Sequence, residues 1–157
     1  MAQRLSTGLR QALAGDGTND GSLRELFNAG VIAVYTGTQP ASADAAETVG
    51  STLLGYITVA SGAFTPGSAT NGLVWDAAVD GSCAKPTGTE WSITPVADGT
   101  AGWARLYTNA RTTGASTSAI RIDLACGVGT GELRWTTTTF TTGVKMPLNT
   151  FSLEIAA

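Results

Sequence analysis

The spacing of apolar residues changes near residue 31, and this change limits most strongly what the chain can fold into. Before it, Leu5, Leu9 and Leu13 recur at the spacing of one helix face. After it, apolar and polar residues alternate, which is typical of β-strands with one buried face. The sequence therefore predicts a helical N-terminal arm over residues 1–30 and a β-domain over residues 31–157.

The arm is predicted to contain two short helices. Gly15 ends the first, and Ser22 with Glu25 has the capping-box spacing that begins the second. Helices this short are marginal in water, so their apolar stripes must be buried on the β-domain or on a neighbouring molecule. We favour the second alternative. It predicts an assembly interface made of Leu5, Leu9, Leu13, Leu23, Leu26 and Phe27.

About eight segments after residue 31 have strand-like alternation, and clusters of Gly, Asn, Asp and Pro separate them. Val31–Tyr35, Thr52–Ala60 and Phe151–Ile155 are examples. Short strands at this spacing indicate a mainly β fold, either a sandwich or a barrel, and we predict an antiparallel β-sandwich of jelly-roll type.

The most regular alternation predicts which side chains of one strand are buried. Ile120, Ile122 and Leu124 share a face that should lie in the core. Arg121 and Asp123 lie on the opposite face. We expect that face to be in solvent, so both polar residues should tolerate alanine.

Composition excludes several classes of protein. The chain has no histidine, which removes the usual general base and most zinc sites. Its net charge of −3 disfavours binding to nucleic acid. No apolar run approaches the roughly 20 residues that span a bilayer. We therefore expect no enzymatic activity, no cofactor or metal, and no nucleic-acid or membrane partner.

Two loops resemble ligand-binding motifs only in part. Residues 16–21 begin like a calcium loop, but Phe27 stands where the bidentate glutamate belongs. Residues 127–131 are rich in glycine, but a strand-like segment follows them instead of a phosphate-binding helix. A flexible connector and a hairpin loop are the preferred interpretations.

The cysteines and tryptophans also have two interpretations each. Cys83 and Cys126 either form a disulfide or remain reduced, and we favour reduced thiols. The four tryptophans lie in strand-like segments. We favour core or inter-subunit anchors, and the alternative is a set of exposed rings that stack on sugars.

Charge is distributed unevenly along the chain. Residues 40–100 carry six acidic residues and one lysine, whereas residues 101–157 carry five basic and three acidic residues. A solvated surface with chance clustering explains this pattern. The alternative is that oppositely charged faces meet between copies in an assembly.

Five segments resemble a family of small structural proteins from tailed bacteriophages and prophages. They are Arg4–Ala14, Leu26–Ile32, Tyr35–Thr48, Ala60–Gly72 and Ala97–Arg105. The resemblance fades after about residue 125 and carries no catalytic motif.

By analogy with small β-sandwich cement proteins, this resemblance implies a capsid decoration protein that stabilises the phage head. The implied partners are the major capsid protein and copies of the chain itself, as a dimer or trimer. The implied location is the capsid surface of the virion, after assembly in the bacterial cytoplasm. Two alternatives stay open: a tail, head–tail connector or fibre-base component, and a carbohydrate- or receptor-binding module.

Overall fold

A computed structural model describes residues 3–154, which form two helices and eleven strands. The helices are α1 (Thr7–Ala14) and α2 (Leu23–Leu26). The strands are β1 (Arg4–Leu5), β2 (Val31–Thr36), β3 (Leu53–Val59), β4 (Ser82–Ala84), β5 (Trp91–Ile93), β6 (Gly99–Tyr107), β7 (Arg121–Val128), β8 (Leu133–Trp135), β9 (Thr139–Phe140), β10 (Met146–Leu148) and β11 (Ser152–Glu154). Ile155, at the end of the last predicted strand, lies outside the described residues.

Nine strands form one sheet, in the order β1-β7-β6-β2-β3-β5-β10, with β8 beside β7 and β9 beside β6. Strands β4 and β11 form a separate antiparallel pair. The prediction of a mainly β, antiparallel fold is confirmed. The strands number more than the predicted eight because several contain only two or three residues, too few to show alternation in the sequence.

Strand β8 runs parallel to β7, so the prediction of a hairpin at residues 127–131 is wrong. Gly129 and Gly131 adopt positive φ angles of 67° and 79°, which favour glycine, and they turn the chain back on itself. Cys126 then lies beside Leu133, although only six residues separate them in the sequence.

Both faces of the central sheet are buried. On the first face, Ile32 and Val34 of β2 join Ile122 of β7 in the main core. On the second face, Tyr35 and Trp103 form a smaller apolar cluster. The expectation of one solvated face is therefore wrong at these strands. Two long loops, residues 37–52 and 108–120, cover the second face.

The N-terminal segment packs on the same core. Arg4–Leu5 pairs with β7 as a strand, which corrects the predicted start of the first helix. Ser6 begins α1: its hydroxyl accepts the Leu9 N–H at 3.1 Å and donates to the Ala119 carbonyl at 2.7 Å. Leu9 is fully buried in the main core.

Candidate functional site

The second face of the sheet contains a buried ion pair. Arg105 of β6 and Asp123 of β7 are register partners, and both side chains are fully buried. The Arg105 Nε and Nη2 atoms donate to the two Asp123 carboxylate oxygens at 2.5 and 2.9 Å. Burial alone would lower the pKa of Arg105, but the bonds to Asp123 outweigh it and hold that pKa above its ordinary value. The bidentate geometry offsets the cost of burying both charges.

Residues 37–52, here called the clamped loop, are fastened to this ion pair. The third guanidinium nitrogen, Nη1 of Arg105, donates to the Ala45 carbonyl at 3.0 Å and lies 3.5 Å from a Glu47 carboxylate oxygen. That carboxylate also accepts the Tyr107 hydroxyl at 2.6 Å and the Gly114 N–H at 3.2 Å. Partial burial opposes ionisation of Glu47, but these hydrogen bonds outweigh it, so its pKa lies below the ordinary value.

Arg121 joins the clamped loop to the second covering loop, residues 108–120. Its guanidinium nitrogens donate to the carbonyls of Gly114, Ser116 and Asp44 at 2.6, 3.1 and 3.2 Å. The side chain is fully buried, and this burial lowers the pKa of Arg121. The expectation that Arg121 and Asp123 lie in solvent is therefore wrong, since the covering loops enclose both.

Asp44 links the clamped loop to helix α1. The Thr7 backbone N–H and hydroxyl donate to the two Asp44 carboxylate oxygens at 2.8 and 2.6 Å. Slight burial raises the pKa of Asp44, but the Thr7 bonds outweigh it and the pKa lies below its ordinary value. One clamped loop thus fastens the central sheet to α1 and to the other covering loop.

These contacts bring the acidic and basic parts of the sequence together inside one chain. Glu47 and Asp44, from the acidic part, meet Arg105 and Arg121, from the basic part. The uneven charge distribution therefore serves an internal network at these residues.

The clamped loop ends in an exposed turn. The Ser51 N–H donates to the Thr48 carbonyl at 2.9 Å, and Gly50 has a φ of 85°, as the third residue of a type II turn requires. Val49, beside it, is 100% exposed. The clamped loop therefore holds the apolar side chain of Val49 in solvent.

No family model, curated protein or solved structure matches this chain. In the described residues, no helix is long and apolar enough to cross a membrane.

The buried network can hold two loops in one conformation. Its three buried charged groups, Arg105, Arg121 and Asp123, are closed to a substrate.

The six predicted interface residues lie at different depths. Leu9, Leu23 and Phe27 belong to the chain's own core and are at most 5% exposed. Their assignment to an assembly interface is corrected, since the β-domain itself covers them. Leu13 and Leu26 are partly buried against that core, and Leu5 is 37% exposed. For these three, the interface stays a prediction.

All four tryptophans are at most 6% exposed, which confirms their prediction as packing residues. Trp103 stacks on Tyr35 with ring centroids 4.5 Å apart, and Trp75 meets Trp91 edge to face at 4.9 Å. No tryptophan within residues 3–154 therefore offers an exposed ring for stacking on a sugar.

The cysteines are unpaired, as predicted. Cys83 is buried, and burial raises the pKa of the Cys126 thiol to about 12. Because the thiolate is the reactive form, Cys126 is a poor nucleophile at neutral pH.

In the loop over residues 16–21, the carboxylates serve the turn itself. Asp16 accepts the N–H groups of Thr18 and Asn19 at 2.8 and 2.9 Å, and Asp20 accepts that of Gly17 at 2.9 Å. Such bonds are typical of Asx turns, in agreement with the preferred connector.

A polar groove of about 610 Å³ lies beside the β4–β11 pair. Three of its four charged residues, all but Glu154, contact the backbone. Lys85 donates to the Pro86 carbonyl at 3.2 Å, Arg134 to the Gly131 carbonyl at 3.1 Å, and Glu132 accepts the Ala125 N–H at 2.7 Å.

Sequence reasoning missed the buried network of Arg105, Arg121 and Asp123. The only signal for it was the presence of arginine and aspartate at strand positions.

Proposed function

We propose that the chain is a non-enzymatic structural protein of a tailed-phage virion, and specifically a decoration protein that stabilises the capsid. One observation carries the proposal: the charged network of the second sheet face is buried and fastens a loop whose turn exposes Val49. The charged groups of Arg105, Asp123 and Arg121 hold the sheet and its covering loops together. This use of charge suits a protein that acts through contacts.

A rigid contact loop has an energetic advantage in a particle. A flexible loop loses conformational freedom when it binds, and that loss opposes association. The clamped loop is ordered before binding through Glu47, Asp44 and the Ala45 carbonyl, so this cost is small. Many identical weak contacts then add up over the copies in a shell.

The jelly-roll sandwich belongs to this proposal. It is supported by the way the β4–β11 pair packs near the large sheet. Cys83 of β4 and Leu153 of β11 share the main core with Trp91 of β5, as two layers around one core would require.

The proposed partners are the major capsid protein and further copies of the chain, on the capsid surface of a virion assembled in the bacterial cytoplasm. A tail, head–tail connector or fibre-base position would use the same rigid loop. Copy number separates these positions, because decoration covers a whole shell whereas connectors and tails form small rings.

Purified virions from the bacterium that encodes the chain provide the test. Quantitative mass spectrometry should find hundreds of copies per particle, and cryo-electron microscopy should place them on the head. A copy number of about a dozen or fewer, located at the neck or tail, would support the alternative position. Absence from purified particles would overturn the virion role.

Binding to heads tests the clamped loop directly. Heads that lack the protein should bind the purified wild-type chain and become more resistant to heat. Val49→Asp should weaken this binding without lowering the chain's own melting temperature, because the side chain is fully exposed. Val79→Asp is the matched control, a 67% exposed valine outside the clamped loop. Equal binding by wild type and Val49→Asp would exclude Val49 as a contact.

A further inference from the structure

Four exposed valines lie at one end of the nine-stranded sheet. They are Val49, Val96, Val128 and Val144, with exposures of 100%, 68%, 58% and 55%. Only three other large apolar side chains of the described residues are exposed, namely Leu5, Val74 and Val79. Scattered exposed valines are ordinary, but a cluster of them marks a contact surface.

Hydrogen bonds and strand register place these valines at the same end of the sheet. Val49 precedes the start of β3, where the Thr52 N–H donates to the Thr36 hydroxyl at the end of β2. The Val96 N–H donates to the Leu54 carbonyl at 2.8 Å, which brings the turn after β5 to the same end.

The other two valines reach this end from the far part of the chain. The Gly143 N–H donates to the Pro95 carbonyl at 2.9 Å, so the turn that carries Val144 lies against the turn that carries Val96. Strand β7 is antiparallel to β6, with Ala125 opposite Trp103. Val128 therefore lies level with the start of β6, at the same end.

The segments around these valines have almost no charge. Residues 48–52, 94–100, 126–131 and 136–144 contain a single charged side chain, Asp98. Its carboxylate accepts the Thr142 N–H and hydroxyl at 2.6 and 2.7 Å. The rest of these segments is mainly Thr, Gly and Val. We call the last three of these segments, which carry Val96, Val128 and Val144, the valine end; Val49 and its turn belong to the head contact proposed above. Depletion of charge is the compositional mark of the core of a protein interface.

We propose that the valine end is the surface through which copies of this chain associate with one another. Two copies carry net charges of −3 each and repel at long range. A nearly uncharged end is the part that can approach its own copy without opposing like charges. Its 22 residues, of which only Pro95 and Phe140 are buried, also match the roughly 20–30 residues that each side contributes to a standard interface.

The small side chains of this end suit contact with an identical surface. Valine and threonine are stiff and lose little side-chain freedom when buried, and glycine lets backbones approach closely. In a two-fold dimer the same patch of both copies meets, so each exposed valine of the valine end is used in both copies. The inference concerns the isolated chain and does not depend on the virion role.

Sedimentation velocity of the purified chain tests the proposal over about 1 to 100 μM, which detects association with a Kd in the micromolar range. We expect the wild type to form a dimer or trimer in this range. Val96→Glu and Val144→Glu, made separately, should each weaken association at least tenfold, because each places a charge in the contact. Val79→Glu is the matched control, since Val79 is 67% exposed and Val96 is 68% exposed. It should associate as the wild type does.

Circular dichroism melting shows whether each variant remains folded. If a glutamate variant unfolds, Val96→Thr is measured in its place. A wild type that stays monomeric throughout the range would overturn the proposal. Equal weakening by Val79→Glu and Val96→Glu would also overturn it, since the effect would then come from net charge. Because no phage particle is present in this experiment, its failure is distinct from failure of the virion role.

Discussion

Arg105 and Asp123 face each other across β6 and β7 with two hydrogen bonds, and neither side chain is exposed. Removal of one partner leaves the other charge buried and unpaired. We expect Asp123→Ala to lower the free energy of unfolding by about 3–5 kcal/mol, measured by urea denaturation. The double variant Arg105→Met with Asp123→Leu should lose less than Asp123→Ala alone. Glu154→Ala, at an exposed position, is the control. A loss below about 1 kcal/mol in Asp123→Ala would show that the pair is open to water.

The acid stability of the protein should depend on Asp44 and Glu47. Both carboxyl groups have pKa values below their ordinary values of 3.8 and 4.5, because hydrogen bonds outweigh the effect of burial. A depressed pKa in the folded state stabilises the fold above the unfolded pKa, and this stability is lost as pH falls through the folded pKa. The melting temperature should therefore be level above about pH 5 and fall below about pH 4.5.

Glu47→Gln tests the contribution of this carboxylate. The variant should melt a few degrees lower at pH 7 and show a shallower fall in acid, since it cannot be protonated there. Glu154→Gln, at an exposed position of β11, should follow the wild-type profile. If Glu47→Gln kept the full acid transition, the transition would belong to other carboxylates.

The different burial of Ile120 and Ile122 should appear as a difference in the free energy of unfolding that each alanine variant loses. Ile122 is fully buried, whereas Ile120 is only partly buried and lies just before the strand. Ile122→Ala should cost about 2–5 kcal/mol because it leaves a cavity in the core. Ile120→Ala should cost less, since its side chain is only partly buried. Equal losses in urea denaturation would contradict this register.

The N-terminal segment should be needed for folding. Leu9 is fully buried, and β1 pairs with β7 through Leu5 and Ile122. We expect deletion of residues 1–20 to unfold the chain, and Leu9→Ala to cost about 2–5 kcal/mol. Leu5→Ala should cost much less, because Leu5 is 37% exposed. A truncated chain that kept its β circular dichroism and melting temperature would restore the arm as an independent assembly element.

Local features of the fold were predictable from the sequence because neighbouring residues produce them. The Ser22–Glu25 capping box is present, with the Ser22 N–H donating to the Glu25 carboxylate at 2.9 Å. Gly15 adopts a φ of 84° and ends α1 after Ala14. The alternation after residue 31 predicted the antiparallel, mainly β fold for the same reason, since strand period is a property of adjacent side chains.

The uses of the polar strand residues were decided only by the tertiary structure. Arg121 and Asp123 have the sequence context of solvent-facing residues, yet both are fully buried. What covers them comes from far along the chain. The hydroxyl of Tyr107 bonds Glu47 across 60 residues, and Arg121 bonds Asp44 across 77. Alternation shows that a strand has two different faces, but what lies over the second face depends on loop contacts that no local pattern encodes.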